Sequence, residues 1–114
     1  MHAACDAGCC PERERIELVE VLHALSDPVR LEMVRELAAD TEISCGAFSL
    51  NVSKSTGSHH FKVLRESGVV SHRDVGTRRY YALRRDDLDA RFPGLLESVL
   101  RASSIPVAGR AGRS

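Results

Sequence analysis

The stretch Ser53-Lys-Ser-Thr-Gly-Ser-His-His-Phe-Lys-Val-Leu-Arg-Glu-Ser-Gly68 leaves little choice of local structure. Ser53 is placed to cap a helix by accepting from the free amides of its first turn, and Gly68 falls where a left-handed residue would end it. Phe61 and Leu64, with Val63 beside them, form a narrow apolar stripe at helical spacing, while Lys54, Ser55, Ser58, His59, Lys62 and Arg65 fall largely outside it. A helix of this kind is anchored on one side and presents hydroxyls, imidazoles and bases on the other. That reads as a helix for recognising DNA, although an ordinary amphipathic surface helix shares the pattern. After Gly68 the period changes. Val69–Val75 and Arg79–Leu83 are β-prone runs joined through Gly76-Thr77-Arg78, which predicts a hairpin with a basic tip.

The flanking segments complete the architecture. Residues 1–12 have no periodicity and carry Cys5, Cys9 and Cys10 ahead of Pro11, so a flexible arm is expected. A first helix is predicted from about Glu12 to Leu25, with Leu18, Val21, Leu22 and Leu25 on one face and Ile16 and Val19 widening it. So wide a face on so short a helix implies more than one neighbour, a second subunit among them. Asp27-Pro28 restarts the chain as cap and first helical residue, and a second helix to about Ala39 buries Leu31, Val34, Leu37 and Ala38. Ser44 is positioned to cap a small third helix through Cys45, Gly46, Ala47 and Phe48. Beyond the hairpin, Leu88, Phe92, Leu95, Leu96, Val99 and Leu100 imply a final helix interrupted near Pro93-Gly94, ahead of a tail over 104–114 expected to be disordered. The fold class is therefore mainly α with a β-hairpin wing, a winged helix-turn-helix over residues 13–103 of a 114-residue chain.

Charge supports this reading only because it is segregated. The formal net charge is zero, yet residues 1–52 hold four Arg/Lys against ten Asp/Glu, and residues 53–84 hold seven against two. A local positive patch attracts polyanions with a geometric preference that a uniformly basic protein lacks. No apolar run approaches the roughly 20 residues that cross a bilayer, and no basic-then-apolar leader is present, so a cytoplasmic location and no membrane partner are expected. Paired carboxylates in a suitable context, a phosphate-cradling glycine loop and a nucleophile motif are all missing, which argues against an enzyme.

Leu22-His-Ala-Leu-Ser-Asp-Pro-Val-Arg-Leu31, Val52–Val70 and Gly76-Thr-Arg-Arg-Tyr-Tyr-Ala-Leu83 resemble segments of the ArsR/SmtB family of bacterial transcriptional repressors over roughly residues 15–100. The resemblance implies a homodimer, paired through its terminal helices, that binds double-stranded operator DNA and is released by a signal. It places Ser53, Lys54, Ser55, Thr56, Ser58, His59, His60 and Lys62 on the recognition helix, and Arg78 and Arg79 on the wing. Ser55, Ser58 and His59 are candidates for base edges or nearby phosphate; Lys54, Lys62, Arg78 and Arg79 for phosphate. Two readings stand for His60, contact with DNA or with neighbouring helices. Gly57 departs from the family pattern, and a mid-helix glycine costs about 1 kcal/mol relative to alanine. The family's metal patterns are thinly represented: Ser44-Cys45-Gly46 supplies one thiol of a Cys-x-Cys pair, and the last helix offers Asp86, Asp87, Asp89 and Glu97 without histidine or cysteine.

The thiols carry what remains of the sensing question. In a reducing compartment Cys5, Cys9, Cys10 and Cys45 are not a disulfide framework. Cys45, expected at the first turn of a helix, would be favoured as thiolate and hence reactive to oxidants. Cys9-Cys10, with Cys5 or Cys45, could hold a thiophilic metal or metalloid ion. No other cofactor is indicated. The alternatives are a constitutive repressor with idle thiols and a winged-helix module that binds protein.

Overall fold

Asp27 restarts the chain as expected. Its carboxylate accepts from the amides of Val29 at 2.9 Å and Arg30 at 3.1 Å, capping a helix that opens on Pro28. The computed structural model describes residues 11–44 and 53–104. Along the chain lie a 3-10 turn at Arg13–Arg15, α1 (Leu18–Leu25), α2 (Pro28–Ala39), β1 (Ile43–Ser44), α3 (Lys54–Ser67), β2 (Val70–Val75), β3 (Arg78–Leu83), α4 (Arg85–Arg91) and α5 (Leu95–Ser103). Helix α1 packs on α2 and α3, α2 on α3 and β3, and α4 on α5 and the 3-10 turn. The core gathers Met33, Val34 and Leu37 of α2, Phe61 and Leu64 of α3, Val69, Val70 and Tyr81 of the sheet region, and Leu88 and Leu96 of the last two helices. A buried side chain of this size contributes roughly 1.5–3 kcal/mol. A helix cap contributes about 1 kcal/mol. Packing therefore sets where the elements lie, and caps set where they stop.

The hairpin forms with Val70 opposite Leu83 and Val75 opposite Arg78, turning through Gly76-Thr77. Gly76 has φ 62°, a left-handed value that glycine reaches at no steric cost. The sheet has a third strand that local pattern did not foresee. Ile43 pairs with Tyr81 and Ser44 with Tyr80, so β3 is central in the order β1-β3-β2. Ser44 is thus a strand residue. The small helix expected after it, with Cys45, lies outside the described residues, as do Cys5, Cys9, Cys10 and most of the predicted tail.

Two corrections concern the ends. The first helix does not run from Glu12; it begins at Leu18, and Ile16 is extended at φ −72°, ψ 124°. The break has a physical cause. The fully buried Ile16 side chain lies over Gly68, and its carbonyl accepts twice from the Arg91 guanidinium, at 2.6 and 3.1 Å, instead of from a helical amide. The end of the predicted arm is also anchored: the Pro11 carbonyl accepts from Arg84 Nη1 at 2.6 Å. The final helical stretch divides at Pro93-Gly94, as its sequence indicates, into α4 and α5.

Asp87 joins these ends. It accepts from Arg13 Nε at 2.7 Å and Arg84 Nε at 2.9 Å. Burial pushes its carboxyl up, but the hydrogen bonds from Arg13 and Arg84 outweigh this and hold it below the ordinary 3.8. A depressed folded-state value means stabilisation that is fully present above the ordinary value and lost as pH falls from there through the depressed one. Asp87→Asn should therefore be less stable than wild type at pH 7, and urea titrations should show the difference closing between about pH 5 and pH 2. Gly68 ends α3 at φ 90°, and a Cβ there would stand 2.6 Å from Ile16 Cγ1. Gly68→Ala should lower the unfolding free energy by at least about 1–2 kcal/mol, the left-handed strain alone, with the clash adding to it; an unchanged urea midpoint would show that the Ile16 contact is not tight.

Candidate nucleic-acid interface

Helix α3 is built as two stripes. Ser53 caps it with φ −67°, ψ 161°, its hydroxyl accepting from the Thr56 amide at 3.2 Å and donating to Thr56 Oγ1 at 2.9 Å. Gly57, His60, Phe61, Leu64 and Ser67 follow one another at helical spacing and are buried. On the opposite side Ser55, Ser58, His59, Lys62 and Glu66 are exposed. The apolar stripe expected at Phe61 and Leu64 is present, and Phe61 lies flat on Tyr81 of β3, ring centroids 4.0 Å apart and planes within 6°. That contact ties the helix to the wing.

His60 belongs to the inward stripe, which removes it from the face open to DNA. It is 8% exposed, with Nδ1 3.0 Å from Arg30 Nη1 and Nε2 3.8 Å from Asp27 Oδ2. Around it, burial pushes the Asp27 carboxyl up, but the amides of Arg30 and Val29 outweigh this and hold it below its ordinary value. His59, one residue earlier, is exposed. Ser55 and Ser58 are exposed too, whereas the hydroxyls of Ser53 and Thr56 are engaged with each other at the helix start. The backbone of Lys54 begins α3.

The basic character of residues 53–84 is narrower than its count of arginines and lysines. Arg79 pairs with Asp74, its cross-strand neighbour, through Nε at 2.8 Å and Nη2 at 3.3 Å, and that pairing holds the Asp74 carboxyl below its ordinary range. Arg73 makes a two-pronged bond to Glu42, Nη2 to Oε1 at 2.8 Å, and lies 5.3 Å from the Tyr80 ring centroid. Arg84 is buried and paired with Asp87. Lys62 and Arg78 are exposed and make no ion pair among the described residues. Pairing of this kind orients the hairpin, and among the described side chains it leaves Lys62 and Arg78 exposed and outside any ion pair.

Sequence reasoning missed Arg30, although a signal was present. It occupies the helical stripe of Met33, Val34 and Leu37, where a base requires buried partners. It also missed the Arg73–Glu42 clasp, whose two residues are 31 positions apart. Among the described residues no group of three or more His, Cys, Asp or Glu side chains is placed to hold a metal ion, and no helix is long and apolar enough to cross a membrane.

A capped helix with a polar outer stripe, bonded through its inner stripe to a short antiparallel sheet, defines the winged helix-turn-helix class of DNA-binding transcriptional regulators. Residues 25–73 match a helix-turn-helix domain family. The HTH-type transcriptional regulator YceK of Bacillus subtilis (strain 168), itself described as uncharacterized, is 39% identical over 83 residues, 70% of this chain and 83% of that protein. The arsenical resistance operon repressor of Staphylococcus xylosus is 35% identical over 74 residues, 64% of this chain and 71% of the repressor. The solved structure of reduced HlyU from Vibrio cholerae N16961 is similar with a TM-score of 0.61 at 27% identity, covering 76% of this chain and 88% of HlyU. The chain belongs to the ArsR/SmtB family of winged-helix transcriptional regulators.

The free and the paired bases should separate in a salt series. Lys62→Ala and Arg78→Ala should each weaken DNA binding on all sequences alike and lower the slope of log affinity against log salt by about 1. Arg79→Ala should change the slope less than either, because its charge is already met by Asp74; equal slopes for all three substitutions would contradict the pairing.

Proposed function

We propose that the protein binds operator DNA as a homodimer through α3 and the wing, and that a thiol-sensed signal, an oxidant or a thiophilic metal or metalloid, releases it. The observation that carries the DNA reading is the division of α3, whose outer stripe of hydroxyls, imidazole and ammonium is exposed among the described residues. Ser55, Ser58 and His59 meet base edges or the phosphates next to them; Lys54, Lys62 and Arg78 neutralise phosphate; Ser53 and Thr56 hold the helix start, and Arg79 holds the wing in shape.

Homodimerisation is supported by α1, which leaves Leu18 43%, Val19 75% and Leu22 45% exposed. A groove of about 420 Å³ beside it, lined by Val19, Glu20, His23, Val63, Glu66 and Ser67, is not filled by the described chain. Apolar surface of this kind on a short helix matches the use of a second copy. The thiol reading rests on the sequence. Cys45 follows Ser44, the last residue of the strand that pairs with β3, so chemistry at that thiol is joined covalently to the sheet carrying the wing. Cys5, Cys9 and Cys10 supply soft donors suited to thiophilic ions, and one relative is named an arsenical resistance operon repressor.

Gel shifts on the DNA upstream of the gene, with reductant, peroxide, arsenite and Zn(II) in parallel lanes, test the whole reading. Reduced wild type should bind at a sedimentation mass of a dimer, and peroxide or a thiophilic ion should release it. Cys45→Ser should abolish the peroxide response, and Cys9→Ser/Cys10→Ser the metal or metalloid response. Binding that ignores salt and sequence would remove the repressor reading. Release that survives both sets of substitutions would remove the thiols.

A further inference from the structure

The buried guanidinium–imidazole contact between α2 and α3 is not used by the DNA-facing stripe. Arg30 is 7% exposed and spends its donors on other helices. Nε donates to the Ala24 carbonyl at 2.7 Å, Nη2 reaches the His23 carbonyl at 3.4 Å, and Nη1 donates to His60 Nδ1 at 3.0 Å. Ala24 and His23 belong to the last turn of α1; the His23 carbonyl also accepts from the Ser26 amide at 3.1 Å and the Ser26 hydroxyl at 2.7 Å, so the Ala24 carbonyl is the main acceptor that Arg30 serves there. Arginine carries donors only, so Nδ1 of His60 must accept. That bond requires the tautomer with its proton on Nε2, the nitrogen facing Asp27 Oδ2 at 3.8 Å. Asp27 itself caps α2. A single guanidinium thus links the end of α1, the first turn of α2 and the middle of α3.

We propose that Arg30 and His60 are positioning residues for DNA readout: their bond sets the rotation of α3 about its own axis, and with it which side chains face the base edges. This rests on the DNA-binding reading above. Phe61 and Leu64 also anchor α3, Phe61 stacked flat on Tyr81, but the hydrophobic attraction that holds them resists separation without itself being directional. A hydrogen bond with a planar fork is directional. With side chains a helix is about 10–12 Å across, so a rotation of roughly 20° carries an outer side chain about 2 Å sideways. A base-edge hydrogen bond, about 2.7–3.2 Å long, does not survive that displacement. The long, flexible Lys62 and Arg78 side chains can follow a phosphate through it. His59, a base-reading candidate adjacent to the brace with its ring centroid 5.9 Å from that of His60, is the most directly affected. Losing the brace should accordingly reduce sequence preference before it reduces general affinity.

The test compares operator DNA with unrelated duplex for wild type, His60→Asn, His60→Gln and Arg30→Lys, alongside unfolding midpoints that establish each protein is folded at the assay temperature. The asparagine carboxamide oxygen lies near the place of Nδ1 and keeps an acceptor for Arg30; the longer glutamine reaches the place of Nε2 instead. His60→Asn should retain the wild-type preference for operator. His60→Gln and Arg30→Lys should lose about tenfold of it, the scale of one base contact, with binding to unrelated duplex nearly unchanged. The proposal is overturned if the two affinities fall together, if neither falls, or if the asparagine and glutamine variants behave alike. Should wild type itself show no preference for operator, the DNA reading fails, and the brace is judged on the ring ¹⁵N shifts of His60. Neutral His60 protonated at Nε2 in wild type, and altered in Arg30→Lys, would uphold the bond; a ring protonated at Nδ1 would exclude it.

Discussion

Everything in this molecule follows from the need to bury one stripe of α3 without covering the other. The inner stripe meets α1, α2 and the sheet at once: His60 on Arg30, Phe61 on Tyr81, Leu64 in the middle of the core. Gly68 then ends the helix under Ile16, where a Cβ would stand 2.6 Å from Ile16 Cγ1 and something would have to shift. Each of those supports comes from a different element, so the helix is held along its length rather than at one end. The outer stripe, relieved of any packing role, is left to water or to a polyanion.

The same economy governs charge. Residues 53–84 carry seven arginines and lysines, and three of them are already paired inside the described chain. Arg79 holds Asp74 across the hairpin, Arg73 fastens β2 to Glu42 beside β1, and Arg84 with Asp87 ties α4 to the start of the described chain. The exposed pairs among them, Arg79–Asp74 and Arg73–Glu42, contribute little to stability, typically about 0–1 kcal/mol, whereas Arg84–Asp87 is largely buried. Their value is geometric, since they hold a three-stranded sheet in a set orientation beside α3. A net charge counted along the chain therefore measures an upper bound on what nucleic acid would meet.

Helix α1 keeps apolar surface that the described residues do not cover. Val21, Ala24 and Leu25 are buried by its own neighbours, and Leu18, Val19 and Leu22 are not. The apolar face is too wide for one side of a two-turn helix to hide. That surface adjoins the same α3 that the Arg30–His60 contact joins to α2.

Much of this was legible in the sequence. The cap at Ser53, the restart at Asp27-Pro28, the helix end at Gly68, the hairpin turn and the interruption at Pro93-Gly94 are all written in residues whose preferences act within a few positions. The division of α3 into an apolar stripe and a polar one was equally local, since it needs only the helical period. The side taken by His60 was not, because a histidine beside an apolar stripe suits either environment until Arg30, thirty positions away, is brought to it. Strand β1 escaped notice for the same reason: two residues have no period, and only the exposed edge of β3 makes them a strand. So did the early break at Ile16, which depends on Gly68 and Arg91. Local preference determined which elements form; contacts between residues distant in the chain decided which way they turn, because those contacts exist only after the chain has folded.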